Sequence, residues 1–271
     1  AGKADTLEVE LEAIRTKSPS HGEYVLPNAV SFYTDPPVPA KHFLGIATGP
    51  LEFKDGVGEC AIYQSDYISH IVTKYLEHSG QVAPLRGASV PGMDHEIVNI
   101  GIGEDEGTIG KLGHHAASLV GALLYLARGS RPEISFVVGI LGRRVTSWTS
   151  MCDKVLHRLV CYLSASRFDR LVLQGSSGDG FILTQTDADH AGDKSSGRST
   201  SGFVTFIVSP GGERALIGWG SRRQRVTAHS TGEAEIVATA EAVKRSAVPL
   251  QGTYEQLQGY CFLAVQGDAT V

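Results

Sequence analysis

The last hundred residues of the chain carry the pattern that most constrains its fold, in which three strand-like segments, one helix and a fourth strand follow one another. The three strand-like segments are separated by turn residues and read FILTQTDADHAG, SGFVTFIVSPGG and RALIGWGSRRQ. A helix is predicted over Thr231–Val248, where Pro249 would end it, and CFLAVQGDATV supplies the fourth strand. This β-β-β-α-β order predicts a mixed α/β sheet.

Three domains are predicted from the way the pattern changes along the chain. Residues 176–271 contain the strands just described, and residues 114–175 are predicted to be a helical unit. In that unit, apolar periodicity and capping residues predict three helices that start near His115, Pro132 and Ser150. Residues 1–113 form the first domain, which mixes strands, one helix and irregular chain.

Within residues 1–113, the first forty end in a proline-rich stretch and are predicted to be an irregular lead-in. A hairpin is predicted in HFLGIATGPLEFKDGVGECAIYQ, because Lys-Asp-Gly separates two apolar runs. A helix capped by Ser65 and ended by Gly80 follows. The glycine-rich residues 81–113 are then predicted to be a long connection.

Charge is divided unevenly along the chain. Residues 1–110 contain 7 Lys and Arg against 16 Asp and Glu, whereas residues 111–271 contain 17 against 13. The second part is therefore the better candidate for contact with a phosphate backbone. The basic residues of the helical unit are either a solvated face or a nucleic-acid track, and they are Arg143, Arg144, Lys154, Arg158, Arg167 and Arg170.

The apolar stretches and the cysteines favour an intracellular protein without a membrane segment. The longest apolar stretches, near residues 119–127 and 134–141, are well short of the roughly 20 residues that span a bilayer. The four cysteines have no paired spacing, which favours reduced thiols.

Acidic residues recur at the ends of the elements predicted in the last segment. Carboxylates brought together from separate elements repel one another unless a hard cation lies among them, and Mg²⁺ binds such oxygen ligands. Two ions about 4 Å apart can stabilise the attacking and leaving oxygens of a phosphodiester. Ordinary helix caps and solvated loop acids are the alternative interpretation. The acidic residues concerned are Asp187, Asp189, Asp193, Glu233, Glu235 and Asp268.

Several longer stretches of the sequence match one known family. LVGALLYLARGSRPEISFVVGIL resembles "GSLLYLA-TRPDISFAV", TDADHAGDKSSGRSTSGF resembles "SDADWAGD…RRSTSG", and ALIGWGSRRQRVTAHSTGEAEIVATAEAVK resembles "LISWSSKKQ…ALSSAEAEYRALAEAAK". LAVQGDATV lies where the same family has a "DN" motif. The family is that of copia-type LTR retrotransposon Pol polyproteins, and the resemblance runs from about His42 to the C-terminus.

The resemblance implies the helix-rich C-terminal part of a reverse transcriptase, followed by a ribonuclease H-like domain that is incomplete at its C-terminus. A ribonuclease H cuts the RNA strand of an RNA–DNA hybrid with two Mg²⁺ ions, and Mn²⁺ is the alternative ion. Asp187 matches the aspartate of the first strand, and Asp268 matches the aspartate of the "DN" motif. Glu233 has capping-box spacing from Ser230, which leaves Glu235 as the predicted metal ligand.

Two functions follow from these expectations, and the basic second part of the chain leaves open a third, a processivity module that only binds the hybrid. The first is a metal-dependent ribonuclease H whose partners are an RNA–DNA hybrid and the rest of the Pol polyprotein. The second is a catalytically silent, retrotransposon-derived structural or interaction subunit of a larger assembly, which is favoured by Ala269 in place of the "DN" asparagine. In either case the expected location is cytoplasmic, in a virus-like particle, or nuclear.

Overall fold

A computed structural model describes residues 24–25, 31–32, 42–82 and 84–267 of the chain. The chain divides into two units, residues 1–40 and residues 41–271. In the first unit, the short strands β1 (Tyr24–Val25) and β2 (Ser31–Phe32) pair antiparallel. Most of the predicted irregular lead-in lies outside the described residues.

The second unit begins with an antiparallel sheet that is ordered β3-β4-β6-β5, with β7 also paired to β6. Its strands are β3 (His42–Phe43), β4 (Ile46–Thr48), β5 (Glu52–Lys54), β6 (Val57–Tyr63) and β7 (Leu171–Ser176). Asp55 and Gly56 join β5 to β6 with φ values of 50° and 82°, which is the backbone of a tight hairpin turn that Asp-Gly favours. The predicted hairpin is therefore confirmed.

Helices fill the stretch between β6 and β7. They are α1 (Ser65–Ser79), α2 (Asp94–Val98), α3 (Gly113–Gly129), α4 (Ser135–Arg143) and α5 (Ser150–Ala165), with short 3-10 turns at Gly103–Asp105 and Pro132–Ile134. Leucines at helical spacing on α3 and α5 form the centre of the core and are fully buried, among them Leu119, Leu123, Leu156, Leu159 and Leu163. The three predicted helices of this unit are present, with Pro132 starting a 3-10 turn that leads into α4.

Two predicted helix caps are wrong by one residue. The N-cap of α1 is Gln64, without a side-chain cap, so Ser65 is the first helical residue. The N-cap of α5 is Thr149, whose hydroxyl accepts a hydrogen bond from the Cys152 N–H at 3.4 Å. Ser150 does not cap α5 because its hydroxyl donates to Asp105 at 3.0 Å instead.

A second sheet has the order β10-β9-β8-β11 and follows β7 along the chain. Its strands are β8 (Phe181–Asp193), β9 (Arg198–Val208), β10 (Arg214–Arg223) and β11 (Phe262–Gly267). The pairs β8–β9 and β9–β10 are antiparallel, whereas β11 runs parallel to β8. The chain is therefore mixed α/β with two sheets and several helices, as predicted at the level of fold class.

The helix that connects β10 to β11 does not end before Pro249 as predicted. After α6 (Thr231–Ala242), a π-helical turn at Val243–Ala247 leads directly into α7 (Val248–Gln258). Pro249 lies in the first turn of α7, where its missing N–H is not needed for an intrahelical bond. The wider π turn lets the chain restart a helix without a loop.

The strand β8 presents alternate side chains to its two sides. Ile182, Thr184, Thr186 and Ala188 are buried on the side that faces α6, where the hydroxyls of Thr186 and Thr239 are 2.9 Å apart. Gln185, Asp187 and Asp189 therefore project to the opposite side of the strand. Within the described part of the chain, no helix is long and apolar enough to cross a membrane.

Candidate carboxylate site

Asp187 and Glu235 meet at one backbone N–H. The N–H of Ala188 donates to Asp187 Oδ1 at 2.8 Å and to Glu235 Oε1 at 3.0 Å. The two carboxylates therefore lie within one hydrogen-bond length of the same nitrogen, although they are 48 positions apart in the sequence. Two of the three predicted site residues are brought together.

Strand pairing places Asp187 next to the last described pair between β8 and β11. Thr186 and Gly267 form that pair. On the other side, Asp187 pairs with Gly202 of β9. Asp187 itself is exposed to solvent.

Glu235 reaches this point from the N-terminal part of α6. Ser230 is the N-cap of the helix, so Glu235 lies in its second turn, near the positive end of the helix dipole. The side chain is buried, with 6% of the residue exposed. Its Oε1 accepts from Ala188, but its Oε2 is buried and has no hydrogen-bond partner among the described residues.

The capping geometry separates the two glutamates of α6. The Glu233 N–H donates to Ser230 Oγ at 3.1 Å, and Glu233 Oε2 accepts from the His229 N–H at 2.7 Å. The carboxylate thus folds back by one residue more than the expected contact with the Ser230 N–H. Glu233 is committed to a capping box at the surface. Glu235 takes no part in the cap, and its carboxylate accepts from the Ala188 N–H instead.

The third predicted residue, Asp268, lies outside the described residues. Its sequence neighbour Gly267 pairs with Thr186, which is the sequence neighbour of Asp187. Within residues 42–82 and 84–267, no three His, Cys, Asp or Glu side chains are placed to hold a metal ion together. The described part of the site therefore consists of two carboxylates.

Asp193, another acidic residue of β8, has a structural role instead. Its Oδ2 accepts from Arg223 Nη1 at 2.8 Å and lies 3.7 Å from Arg143 Nη1, while Ser195 and Ser196 donate to the same carboxylate. Burial raises the pKa of Asp193, but these hydrogen bonds outweigh it and hold the pKa well below its usual range. The residue joins the end of β8 to β10 and α4.

Asp189, which shares the side of β8 that carries Asp187, lies at the irregular end of the strand. Its carboxylate lies over Gly192, where the side chain of any other residue would collide with it. Ala191, between these two residues, has a positive φ of 52°, and the β8–β9 register shifts between Asp189 and Asp193. This bulge turns the end of β8 out of the regular ladder. Asp189 therefore belongs to the bulge.

Two cavities border the face of β8 that carries Asp187. One of about 500 Å³ lies between this face and α4, and its lining includes Phe136, Phe203, Trp219 and Asp187 itself. The other, of about 550 Å³, lies farther along the strand, and its lining includes Arg143, Arg144, Arg223 and Asp189. Asp187 thus stands between an apolar cavity and one rich in arginine.

The basic residues of the helical unit are divided among separate places. Whereas Arg143 and Arg144 border β8, Lys154 and Arg158 line a different cavity of about 670 Å³. Arg158 is also paired with Glu96 at 2.9 Å. The guanidinium groups of Arg167 and Arg170 stack on the rings of Phe168 and Tyr63. A nucleic-acid track was one of the two interpretations of these six residues, and of the six only Arg143 and Arg144 line the cavity at the end of β8.

Sequence reasoning missed two buried polar residues near helix starts. Asp105, treated as part of a linker, accepts hydrogen bonds from Gly101, Thr108 and Met151 and lies at the start of α5. Gln224, which follows β10, donates to the Ala234 carbonyl in the first turn of α6. No local sequence signal marks either contact, because each joins elements that are distant in the chain.

No family model matches the chain. It is 33% identical over 129 residues to a protein of Plasmopara viticola named secreted RxLR effector protein 161, which covers 48% of this chain and 87% of that protein. It is 33% identical over 141 residues to the retrovirus-related Pol polyprotein from transposon TNT 1-94 of Nicotiana tabacum, and 32% identical over 118 residues to that from transposon RE1 of Arabidopsis thaliana.

Fold and site together define a mixed α/β protein with a pair of carboxylates where a central strand meets a helix. The chain belongs to the family of these relatives, which includes retrotransposon Pol polyproteins. The matched stretches cover 52% and 43% of this chain but only 10% and 8% of the two polyproteins.

Proposed function

We propose that the second sheet and α6 form a ribonuclease H-like unit that hydrolyses the RNA strand of an RNA–DNA hybrid, as part of a retrotransposon Pol polyprotein. One observation carries the proposal: Asp187 and Glu235 share the N–H of Ala188, while Glu235 Oε2 is buried without a partner among the described residues. A buried acceptor without a donor, beside a second carboxylate, is an environment that a hard cation stabilises.

The chain's own residues fit such a cation. Mg²⁺ or Mn²⁺, when bound, would act as a Lewis acid on the phosphodiester and favour ionisation of the attacking water. Asp187 and Glu235 contribute two negative charges, and the Ala188 N–H orients one oxygen of each. The second oxygen of Glu235 remains available as a ligand. We assign the third carboxylate to Asp268, which is bonded to the strand residue opposite Thr186.

Strand order supports the same assignment. β8, which carries Asp187, is central in the sheet, and β11 runs parallel to it, so the carboxyl ends of both strands lie at one edge. α6 packs on the sheet through the Thr186–Thr239 contact and brings Glu235 to that edge. The resemblance of this segment to copia-type sequences also supports the assignment, because Asp187, Glu235 and Asp268 follow one another in the order of that family's acidic residues.

We further propose that the helical unit is the connection segment and that the hybrid lies along the face of β8 that carries Asp187. Arg143, Arg144 and Arg223 line the cavity next to this face and provide positive charge for phosphates. Binding through such residues weakens as salt is added, because counterions released from the nucleic acid must be recovered.

A second candidate function is a catalytically silent structural or interaction subunit of a larger assembly. The specific observation in its favour is that the matched stretch makes up 87% of one relative, so this segment also occurs as most of a protein in its own right. That relative carries the name of an effector rather than that of a polyprotein.

Cleavage of an RNA–DNA hybrid labelled on the RNA strand, with and without Mg²⁺, separates the two candidates. The proposed function predicts Mg²⁺-dependent products that Asp187→Asn abolishes. Asp179→Asn is the matched control, because Asp179 is exposed and precedes β8 at the opposite end from the site. Hybrid binding without cleavage at any Mg²⁺ or Mn²⁺ concentration would favour the silent subunit.

A further inference from the structure

Gln224 is a completely internal polar residue that follows β10. Only 1% of it is exposed, and its backbone N–H donates to the Ser199 carbonyl at 2.8 Å, which extends the β9–β10 pairing by one residue. A buried amide side chain is unfavourable unless its polar atoms are bonded. Its contacts therefore define what the residue does.

The side-chain amide of Gln224 connects β9 to the start of α6. Its Nε2 donates to Ser201 Oγ at 3.0 Å and to the Ala234 carbonyl at 2.8 Å, so both amide hydrogens have acceptors. Ser201 is the residue of β9 that pairs with Ala188. Ala234 immediately precedes Glu235 in the helix.

Both acceptors are direct neighbours of the residues that form the carboxylate site. Ser201 pairs with Ala188, whose N–H donates to both carboxylates. Ala234 immediately precedes Glu235 in the chain. The capping box of Ser230 and Glu233 lies at the surface and joins only residues at the start of α6. The Gln224 amide is thus an internal tie between the first turn of α6 and the sheet.

An unpaired oxygen of Gln224 lies in the same region. Its Oε1 is buried without a hydrogen-bond partner among the described residues, as is Oε2 of Glu235. Rotating the amide by half a turn would place its oxygen against the Ala234 carbonyl, and two acceptors cannot form a hydrogen bond. The orientation with Nε2 toward α6 is therefore the one that the acceptors select.

We infer that Gln224 is a positioning residue, which holds the first turns of α6 against β9 and so keeps the Glu235 carboxylate at the Ala188 N–H, where a divalent cation would bind. This rests on the cation site of the proposed function. Groups that orient a metal ligand without touching the metal typically change its affinity 10- to 100-fold when they are removed. A change limited to stability would mean that the amide only fills space.

The direct test is a titration of Mn²⁺ into the full chain, followed by the loss of the free-ion signal in electron paramagnetic resonance. Gln224→Met keeps the length of the side chain and removes both donors. We expect at least about a 10-fold loss of Mn²⁺ affinity. Ser201→Ala, which removes one of the two acceptors and no volume from the helix, should shift affinity in the same direction by a smaller factor, and it keeps the test valid if Gln224→Met unfolds.

Two matched controls separate positioning from general loosening. Gln174→Met removes an exposed amide that donates to Glu59 on the first sheet, and should leave affinity within about twofold of the original. Thr205→Val removes a buried hydroxyl that contacts Thr184 and Ser246 and so destabilises the same sheet away from Glu235. It should lower the melting temperature with little change in affinity.

The outcomes distinguish this inference from the function it rests on. If the original chain binds Mn²⁺ and Gln224→Met binds it equally well, the positioning role is wrong and the cation site stands. If Thr205→Val weakens binding as much as Gln224→Met does, the effect is general and the inference is also wrong. If the original chain binds no Mn²⁺ while Asp187 and Glu235 are intact, both the cation site and the role of Gln224 fail.

Discussion

The indole N–H of Trp219 on β10 donates to the backbone carbonyl of Ala127 at 2.7 Å. Ala127 lies in the last turn of α3, where carbonyl groups lack an intrahelical donor. The contact therefore satisfies a helix end and at the same time fastens the second sheet to the helical unit. The carboxylate pair and the arginines of α4 consequently belong to one packed body.

Replacing Trp219 by Phe should loosen this attachment, because the phenyl ring fills only part of the space of the indole and has no N–H to donate. We expect Trp219→Phe to lower the free energy of unfolding by about 1–2 kcal/mol, since a partly buried carbonyl loses its donor. Urea denaturation followed by circular dichroism measures the effect. Tyr260→Phe is the control, because Tyr260 is 87% exposed and should change stability very little. Equal stability of the Trp219 variant and the original chain would show that water replaces the indole at no loss.

The capping box predicts that Glu233 contributes to stability and not to cation binding. Glu233→Ala removes the acceptor for the His229 N–H at the start of α6. We expect a loss of about 0.5–2 kcal/mol of stability, while Mn²⁺ affinity stays within about twofold of the original. A loss of Mn²⁺ binding as large as that of Asp187→Asn would instead make Glu233 the ligand and reverse the assignment of the two glutamates.

In contrast to Glu233→Ala, Glu235→Gln should raise stability and abolish Mn²⁺ binding. In the original chain, one oxygen of Glu235 is buried without a partner and the carboxylate lies near that of Asp187. The neutral amide keeps the contact with Ala188 and removes the repulsion. In the presence of a chelator we expect stability to rise by about 1 kcal/mol, the order of an unpaired buried group, and Mn²⁺ binding to be lost. A thermal melt with and without Mn²⁺ measures both, and destabilisation in chelator would contradict the unpaired state of Glu235.

The strand β8 and its partners show which parts of the fold can be predicted from the sequence. Turn residues between strand-like segments predicted β8, β9 and β10, and Asp-Gly predicted the β5–β6 hairpin, because these signals are local. Capping-box spacing also distinguished Glu233 from Glu235. All of these depend on residues that are close in the chain.

What the sequence could not provide are contacts between distant segments. Ser150 has a hydroxyl that could cap a helix, but this hydroxyl donates to Asp105, which lies 45 residues earlier in the chain. Pro249 predicts a helix end, yet the helical chain continues through it, because a π-helical turn immediately before α7 accommodates the proline. The meeting of Asp187 with Glu235 at the Ala188 N–H depends on packing that neither residue encodes locally.

The ion pair between Asp193 and Arg223 should matter for the end of β8. Arg223→Met removes the 2.8 Å hydrogen bond but keeps an apolar side chain, and leaves Asp193 with Arg143 and two serine hydroxyls. We expect a loss of about 1–2 kcal/mol, because the carboxylate is largely buried and the bond is charge-assisted. Arg222→Met, at the exposed neighbouring position, is the control in the same denaturation experiment. Equal effects of the two variants would mean that the pair contributes no more than surface charge.

The last prediction concerns Asp105 and pH. Burial raises the pKa of this carboxyl, but hydrogen bonds from Thr149, Gly101, Thr108 and Met151 outweigh it and lower the pKa from 3.8 to about 2. The folded chain therefore takes up this proton less readily than the unfolded chain does. Its stabilisation is fully present above about pH 5 and is lost as the pH falls through 3.8 toward 2. The shift corresponds to about 2 kcal/mol.

Asp105→Asn removes the ionisable group at the start of α5, so its stability should be lower than that of the original chain at pH 6 and the difference should shrink as the pH is lowered to 3. Urea unfolding at half-unit pH steps measures the difference directly. Glu104→Gln, at the exposed neighbouring position, should show no such convergence. A difference between Asp105→Asn and the original chain that stays constant from pH 6 to pH 3 would mean that the hydrogen bonds stabilise the neutral acid as well as the carboxylate.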